Sequence, residues 1–215
     1  IYTKVKNNTK LISIMLANNE IGSINPIKEI ASKCKNENIF IHTDAVQFIG
    51  KKNIDISDLN VDLLSLGAHK FYGPKGIGAL YIKNGTLVNP LILGGGQEKG
   101  MSPGTENVAL ISGMAHALEL SVNNIENSTI HINNMELLFF KLLNDTGIKY
   151  KVNGKNRLPG FINITFFNFD GHGLLLNLDM RNIAISFGAA CSSGSAKASK
   201  ALLSIGMNED IANST

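Results

Sequence analysis

Two short apolar runs, LISIML at residues 11–16 and FIHTDA at 40–45, flank PIKEIASKCKNEN, in which Ile27, Ile30, Ala31 and Cys34 recur at helical spacing behind Pro26. The order is strand, helix, strand. VDLLSL at 61–66 and GALYI at 78–82 add two strands, and residues 107–120, carrying VALISGMAHALEL, have the length and alanine content of a helix. Alternation of this kind predicts an α/β fold.

From residue 121 the texture changes. NNIENSTIHINN is polar, NMELLFFKLLND is amphipathic at helical spacing, PGFINITFF reads as a strand after a loop, and GHGLLLNLDM reads as a helix. A boundary near residue 122 therefore separates an α/β domain, 1–122, from a smaller α+β domain, 123–215. A chain of 215 residues is long enough for a large lobe with a smaller one.

The charge balance excludes several classes. Twenty basic residues against 17 acidic ones give a net +3, spread along the chain with no run dense enough to track a phosphate backbone, so no nucleic-acid partner is expected. No apolar stretch approaches the ~20 residues of a membrane helix. Cys34 and Cys191 are the only cysteines. They are too few for a disulfide framework and have no metal-ligand spacing, so no metal site is expected and a reducing compartment fits. The first residues, IYTKVKNNTK, resemble neither a signal nor a transit peptide and include no starting Met, so the chain is expected to begin partway through a protein. The cytoplasm is the expected location, with an organelle left open because a targeting region can lie upstream.

The stretch GAHKFYGPKGIGALYI, residues 67–82, sets His69 and Lys70 directly after an apolar run, where a lysine is out of place on a core strand. Three further polar signals accompany it: ANNEIG at 17–22, TDAVQ at 43–47 and GGGQEKGMSPGTEN at 94–107. Singly they read as helix caps, solvated ends and loops. Jointly, at the ends of successive strands where open α/β sheets place ligands, they form a chemical set of acid, amide pair, lysine and glycine-rich anion loop. Pyridoxal phosphate (PLP) needs those parts: a lysine for its aldehyde, an acid for the ring nitrogen, and donors for its phosphate and phenolate oxygens. A lysine partly desolvated at the strand mouth loses its proton more readily and becomes a nucleophile.

A second signal is AISFGAACSSGSAKAS at 184–199, with Cys191 among Gly, Ala and Ser. A stretch so poor in large apolar side chains predicts a mobile loop with a reachable thiol. Cys34, on an apolar helix face, reads as structural.

NNEIG, HTDAVQ, VDLLSLGAHKFYGPKGIGALY, GGGQEKG with PGTEN, and FGAACSSGS stand in an order and at a spacing that resemble the group I cysteine desulfurases, the class V branch of the fold type I PLP enzymes. The resemblance covers nearly the whole chain. It implies the fold type I large domain, a mostly parallel sheet with flanking helices, followed by an incomplete smaller domain. It implies that Lys70 bonds the cofactor, that Asp44 pairs with the pyridinium nitrogen, that Gln47 and Asn19 face the phenolate oxygen, and that His69 serves catalysis and the phosphate site. Thr105 would reach the phosphate of a neighbouring subunit, which implies a homodimer, and Cys191 would be the nucleophile. The implied reaction takes sulfur from L-cysteine, leaving L-alanine and a persulfide on Cys191 for a sulfur-acceptor or iron-sulfur scaffold protein.

Gly67 stands where the family often has a phosphate-binding serine, and Ser102 where an arginine usually precedes the turn. The family pattern also extends upstream and downstream of these residues, so the chain reads as a fragment. Selenocysteine lyase, acting on L-selenocysteine, is the alternative that PGTEN, DGHG and FGAAC resemble, whereas CSSGSAKAS resembles the desulfurases. An inactive scaffold homologue is the third reading, suggested by Gly67 and Ser102.

Overall fold

The computed structural model describes residues 1–35, 37–188 and 198–215. They divide into two compact units, one of Ile1–Leu16 with Asn25–Glu126, the other of Ala17–Ile24 with Asn127–Thr215. The chain passes from the first unit to the second between Glu126 and Asn127, and the short segment 17–24 groups with the second.

The first unit is built on a four-stranded sheet in the order β1 (Leu11–Met15), β2 (Phe40–Asp44), β3 (Leu63–Gly67) and β4 (Gly78–Ile82). The first three strands run parallel and β4 runs antiparallel to β3. The crossover from β1 to β2 is helix α1 (Ile27–Lys35), which buries Ile27, Ile30, Ala31 and Cys34 and packs on β2. Ile41 and Thr43 of β2 and Leu64 of β3 are buried, while Phe40 is exposed and His42 and Asp44 are half-buried, the alternation a sheet with one covered face requires. Helix α2 (Ile56–Leu59) is capped by Asp55, whose carboxylate accepts from Ser57 N and Asp58 N. Helix α3 (Val108–Asn123) begins at Asn107, whose side chain accepts from Leu110 N. Because β1, β2 and β3 share a direction, the chain leaves β2 and β3 at the same edge of the sheet.

The second unit carries the long helix α4 (Ile125–Asp145), which starts at the division. The polar stretch before residue 135, expected from its composition to mark a boundary, is helical. Its less exposed positions, Ile125, Ser128, Thr129, Ile132, Glu136, Phe140 and Leu143, recur every three or four residues apart from the adjacent Ser128–Thr129 pair, so small polar residues share that face with apolar ones. Strands β5 (Tyr150–Val152) and β6 (Ile164–Phe166) pair antiparallel. Buried Asn153 donates to Asn163 Oδ1 at 2.8 Å and to Thr165 Oγ1 at 2.9 Å. Helices α5 (Gly171–Asp179), α6 (Lys200–Ser204) and α7 (Glu209–Ala212) are each capped by a side chain, from Asp170, Ser199 and Asn208. Residues 17–24 join this unit through a Ser23–Arg157 bridge and a Leu158 N to Gly22 O hydrogen bond of 3.0 Å. Among the described residues no helix is long and apolar enough to cross a membrane.

Candidate active site

Asp44 closes β2, and the chain turns at once. Its Oδ1 accepts from Val46 N at 2.9 Å, an Asx turn that starts the bend. The capping reading of this acid is therefore correct for one oxygen, while Oδ2 makes no hydrogen bond among the described residues. Phe48 N and Ile49 N both donate to the Ala45 carbonyl, at 2.9 and 3.0 Å, and the turn ends at Gly50 with φ of 77°. The half-buried side chain of Gln47 is likewise uncommitted among the described residues.

The neighbouring exit, from β3, passes through Gly67 into one 3-10 turn, Ala68–Lys70. The carbonyl of buried Ala68 accepts from Phe71 N at 3.1 Å and Gly73 N at 2.9 Å, folding the chain back on itself. A Cβ on Gly73 would lie 2.9 Å from Ala68 Cβ, so the double turn needs glycine there. Phe71 is the wedge under this loop, 1% exposed, and its carbonyl accepts from Ser121 Oγ of α3 at 3.1 Å. The next residue, Tyr72, is 98% exposed with φ of 66°, a left-handed backbone that is strained for a bulky side chain.

His69 and Lys70 are both exposed on this turn. Strand-end position predicts a partly desolvated Lys70, and among the described residues nothing covers it to that degree. The lysine that is half-buried here is Lys51, whose ammonium donates to the carbonyls of Gln47 at 3.0 Å and Lys70 at 3.2 Å. Burial, and then the positive charge of Lys70, push Lys51 below the ordinary lysine range. Sequence reasoning missed Lys51 because Gly-Lys-Lys after a turn reads as solvated chain. It also missed His42, whose ring bridges Ser13 Oγ and Ser65 Oγ at 2.7 Å each across three strands.

The glycine-rich segment does not follow a strand end directly. β4 runs antiparallel and finishes at Ile82, twelve residues before Gly94. Gln97 Oε1 accepts from Gly104 N at 3.2 Å, and Thr105 is exposed just before the Asn107 cap. Ser102 and Thr105 line a shallow recess of roughly 270 Å³ with Gly76, Glu98 and Leu110.

Asn19 lies in the segment that groups with the second unit. The expected amide pair divides its labour: Asn18 Oδ1 accepts from Glu20 N and Ile21 N, both at 2.9 Å, and holds the turn, while the half-buried Asn19 side chain is uncommitted among the described residues. Glu20 accepts from Ser199 Oγ. Cys191 lies outside the described residues.

The family model for class-V aminotransferases matches residues 1–210. Cysteine desulfurase IscS of Clostridium botulinum (strain Hall) is 47% identical over 213 residues, covering 97% of this chain and 54% of the relative. A solved NifS-like protein superposes with a TM-score of 0.86 at 35% identity, covering 99% of this chain and 56% of the other. A structure of SspA in complex with cysteine gives 0.79 at 35% identity, covering 99% and 59%. This chain spans about half the length of the curated relatives it matches. The mixed sheet with flanking helices is that of fold type I. On the family match across residues 1–210 and these structural likenesses, the chain belongs to the class-V aminotransferase family.

Proposed function

We propose that the full-length protein is a PLP-dependent cysteine desulfurase that takes sulfur from L-cysteine, leaving L-alanine and a persulfide on Cys191. The observation that carries this reading is the juxtaposition at one sheet edge of an acid oxygen, an amide, an imidazole and an amine, from Asp44, Gln47, His69 and Lys70. None is committed to another hydrogen bond among the described residues. That donor set fits PLP. The relatives named cysteine desulfurase and the cysteine-bound SspA structure support L-cysteine as the substrate.

When bound, the cofactor supplies an electron sink that weakens the bonds at the substrate Cα. This chain's own residues do the rest. Lys70 holds the cofactor through its amine, and the free Asp44 oxygen keeps the ring nitrogen protonated by opposite charge. Gln47 presents an amide donor to the phenolate oxygen, and His69 contributes to the phosphate site and to catalysis. The Cys191 thiolate takes the substrate sulfur as the S–Cβ bond breaks, and the carbon fragment, reprotonated, leaves as alanine. An acceptor protein with a receiving thiol or a scaffold for iron-sulfur clusters then draws off the persulfide. Thr105 belongs to a phosphate site completed by a second copy. Leu87 and Leu91, 93% and 96% exposed, support a homodimer by leaving apolar surface uncovered.

The test is alanine release by full-length protein given L-cysteine or L-selenocysteine. Alanine from L-cysteine, lost in Cys191→Ser, is the expected result. Alanine from L-selenocysteine alone moves the assignment to selenocysteine lyase, and none from either substrate removes the enzymatic reading.

A further inference from the structure

Lys51 occupies a position that a lysine does not take without cause. Its ammonium is half-buried and donates to two main-chain carbonyls, and Lys70 is the charged neighbour that lowers its proton affinity. Burying an ammonium is costly unless the group is well held. The contact with Gln47 has an ordinary explanation. Lys51 follows the turn 45–50, and a cation near the end of a helical turn commonly caps its last carbonyls. The contact with Lys70 has no such explanation, because it reaches across 19 residues of sequence to the 3-10 turn at the end of the adjacent strand.

The two carbonyls belong to Gln47 and Lys70 themselves, one on each of the two parallel exits that form the site. We propose that Lys51 is a positioning residue for this site, a cationic brace that ties the main chain of Lys70 to the main chain of Gln47 from behind and so fixes the spacing of the two side chains in front. The proposal rests on Lys70 and Gln47 holding the cofactor. The lowered proton affinity of Lys51 agrees with it, since burial combined with one specific charged neighbour is the pattern seen where a functional site sets its own geometry. Neighbouring packing gives the brace a firm base: a Cβ on Gly50, the residue before Lys51, would lie 2.8 Å from Phe71 Cβ, the residue after Lys70.

The test uses full-length protein with PLP added to the apo form. Three readouts are taken for wild type, Lys51→Met, which keeps an unbranched stem without the charge, and Lys51→Arg, which keeps the charge. They are the PLP dissociation constant, the visible circular dichroism of the bound cofactor, and the melting temperature of the apo protein. Lys51→Met is expected to raise the dissociation constant about tenfold and to reduce the visible dichroism, which reports how rigidly the ring is held. Lys51→Arg is expected to restore both towards wild type. Unchanged affinity and dichroism in Lys51→Met overturn the proposal, as does a drop that merely follows the apo melting temperature and is not rescued by arginine. Should Lys51→Met not accumulate folded, Lys51→Gln is read in the same way, and wild-type values there also overturn it. A Lys70→Ala control separates the two layers. If wild type and Lys70→Ala bind PLP alike, the cofactor reading fails, whereas a loss confined to Lys70→Ala with Lys51→Met normal removes the brace alone.

Discussion

Gly67 precedes the turn that carries His69 and Lys70, and its own φ of −134° is ordinary extended backbone. A Cβ built there would meet the His69 ring at 3.4 Å and Val46 Cγ1 at 3.7 Å, ordinary contacts. Gly67→Ser is therefore expected to fold normally and to add a hydroxyl donor to the phosphate side, tightening PLP binding of the full-length protein several-fold, about 1 kcal/mol. Equilibrium titration of apo protein measures it, and unchanged or weaker binding counts against a phosphate at this position. Cys34 makes the opposite kind of prediction. Burial, and then Glu37, raise its thiol above the ordinary range. In the unfolded chain the thiol begins to ionise near pH ~8.5, while the folded form keeps its proton, so folding loses stability as pH rises from there through the folded value. Wild type should lose more stability between pH 7 and 9.5 than Cys34→Ala does, by denaturant titration. An equal loss in both would show that this thiol ionises as freely folded as unfolded.

The turns at 45–50 and 68–73, which carry the two strand exits, lock through Gly50. With φ of 77° and Phe71 Cβ only 2.8 Å from where an alanine Cβ would stand, Gly50→Ala combines backbone strain with a collision. It is expected to cost roughly 1–3 kcal/mol in urea unfolding, and a neutral result would mean that the two turns do not pack against each other. The strands of the first unit are legible in the sequence because LISIM, FIHTD, LLSLG and GALYI are compact apolar runs set off by turn residues. β5 is not, since Tyr150–Val152 is three residues with a lysine at its centre. The first turns of α4 are hidden because two of the less exposed positions, Ser128 and Thr129, are small polar residues. Within the proposed site, Asp44, Gln47, His69 and Lys70 stand out by residue type and strand-end position. Lys51 cannot, because its meaning lies in a contact across 19 residues that no local pattern encodes. The exposure of Lys70 is hidden for the same reason: strand-end position says where a side chain starts, not what covers it.

The class-V family match runs from residue 1 to 210, yet the whole chain spans about half of its curated relatives. The proposed site is the strand-end cluster of Asp44, Gln47, His69 and Lys70. Its chemistry converges on one amine, because the carboxylate, amide and imidazole around the two strand ends acquire a common purpose only if Lys70 holds the cofactor. The decisive measurement is borohydride reduction of the full-length, PLP-loaded protein, followed by peptide mapping of the reduced pyridoxyl group. One labelled peptide is expected, carrying the group on Lys70 and absent from Lys70→Ala. A label on Lys51 or Lys75, or no stable label on any lysine, would refute the assignment of Lys70 and with it the common purpose of the residues around it.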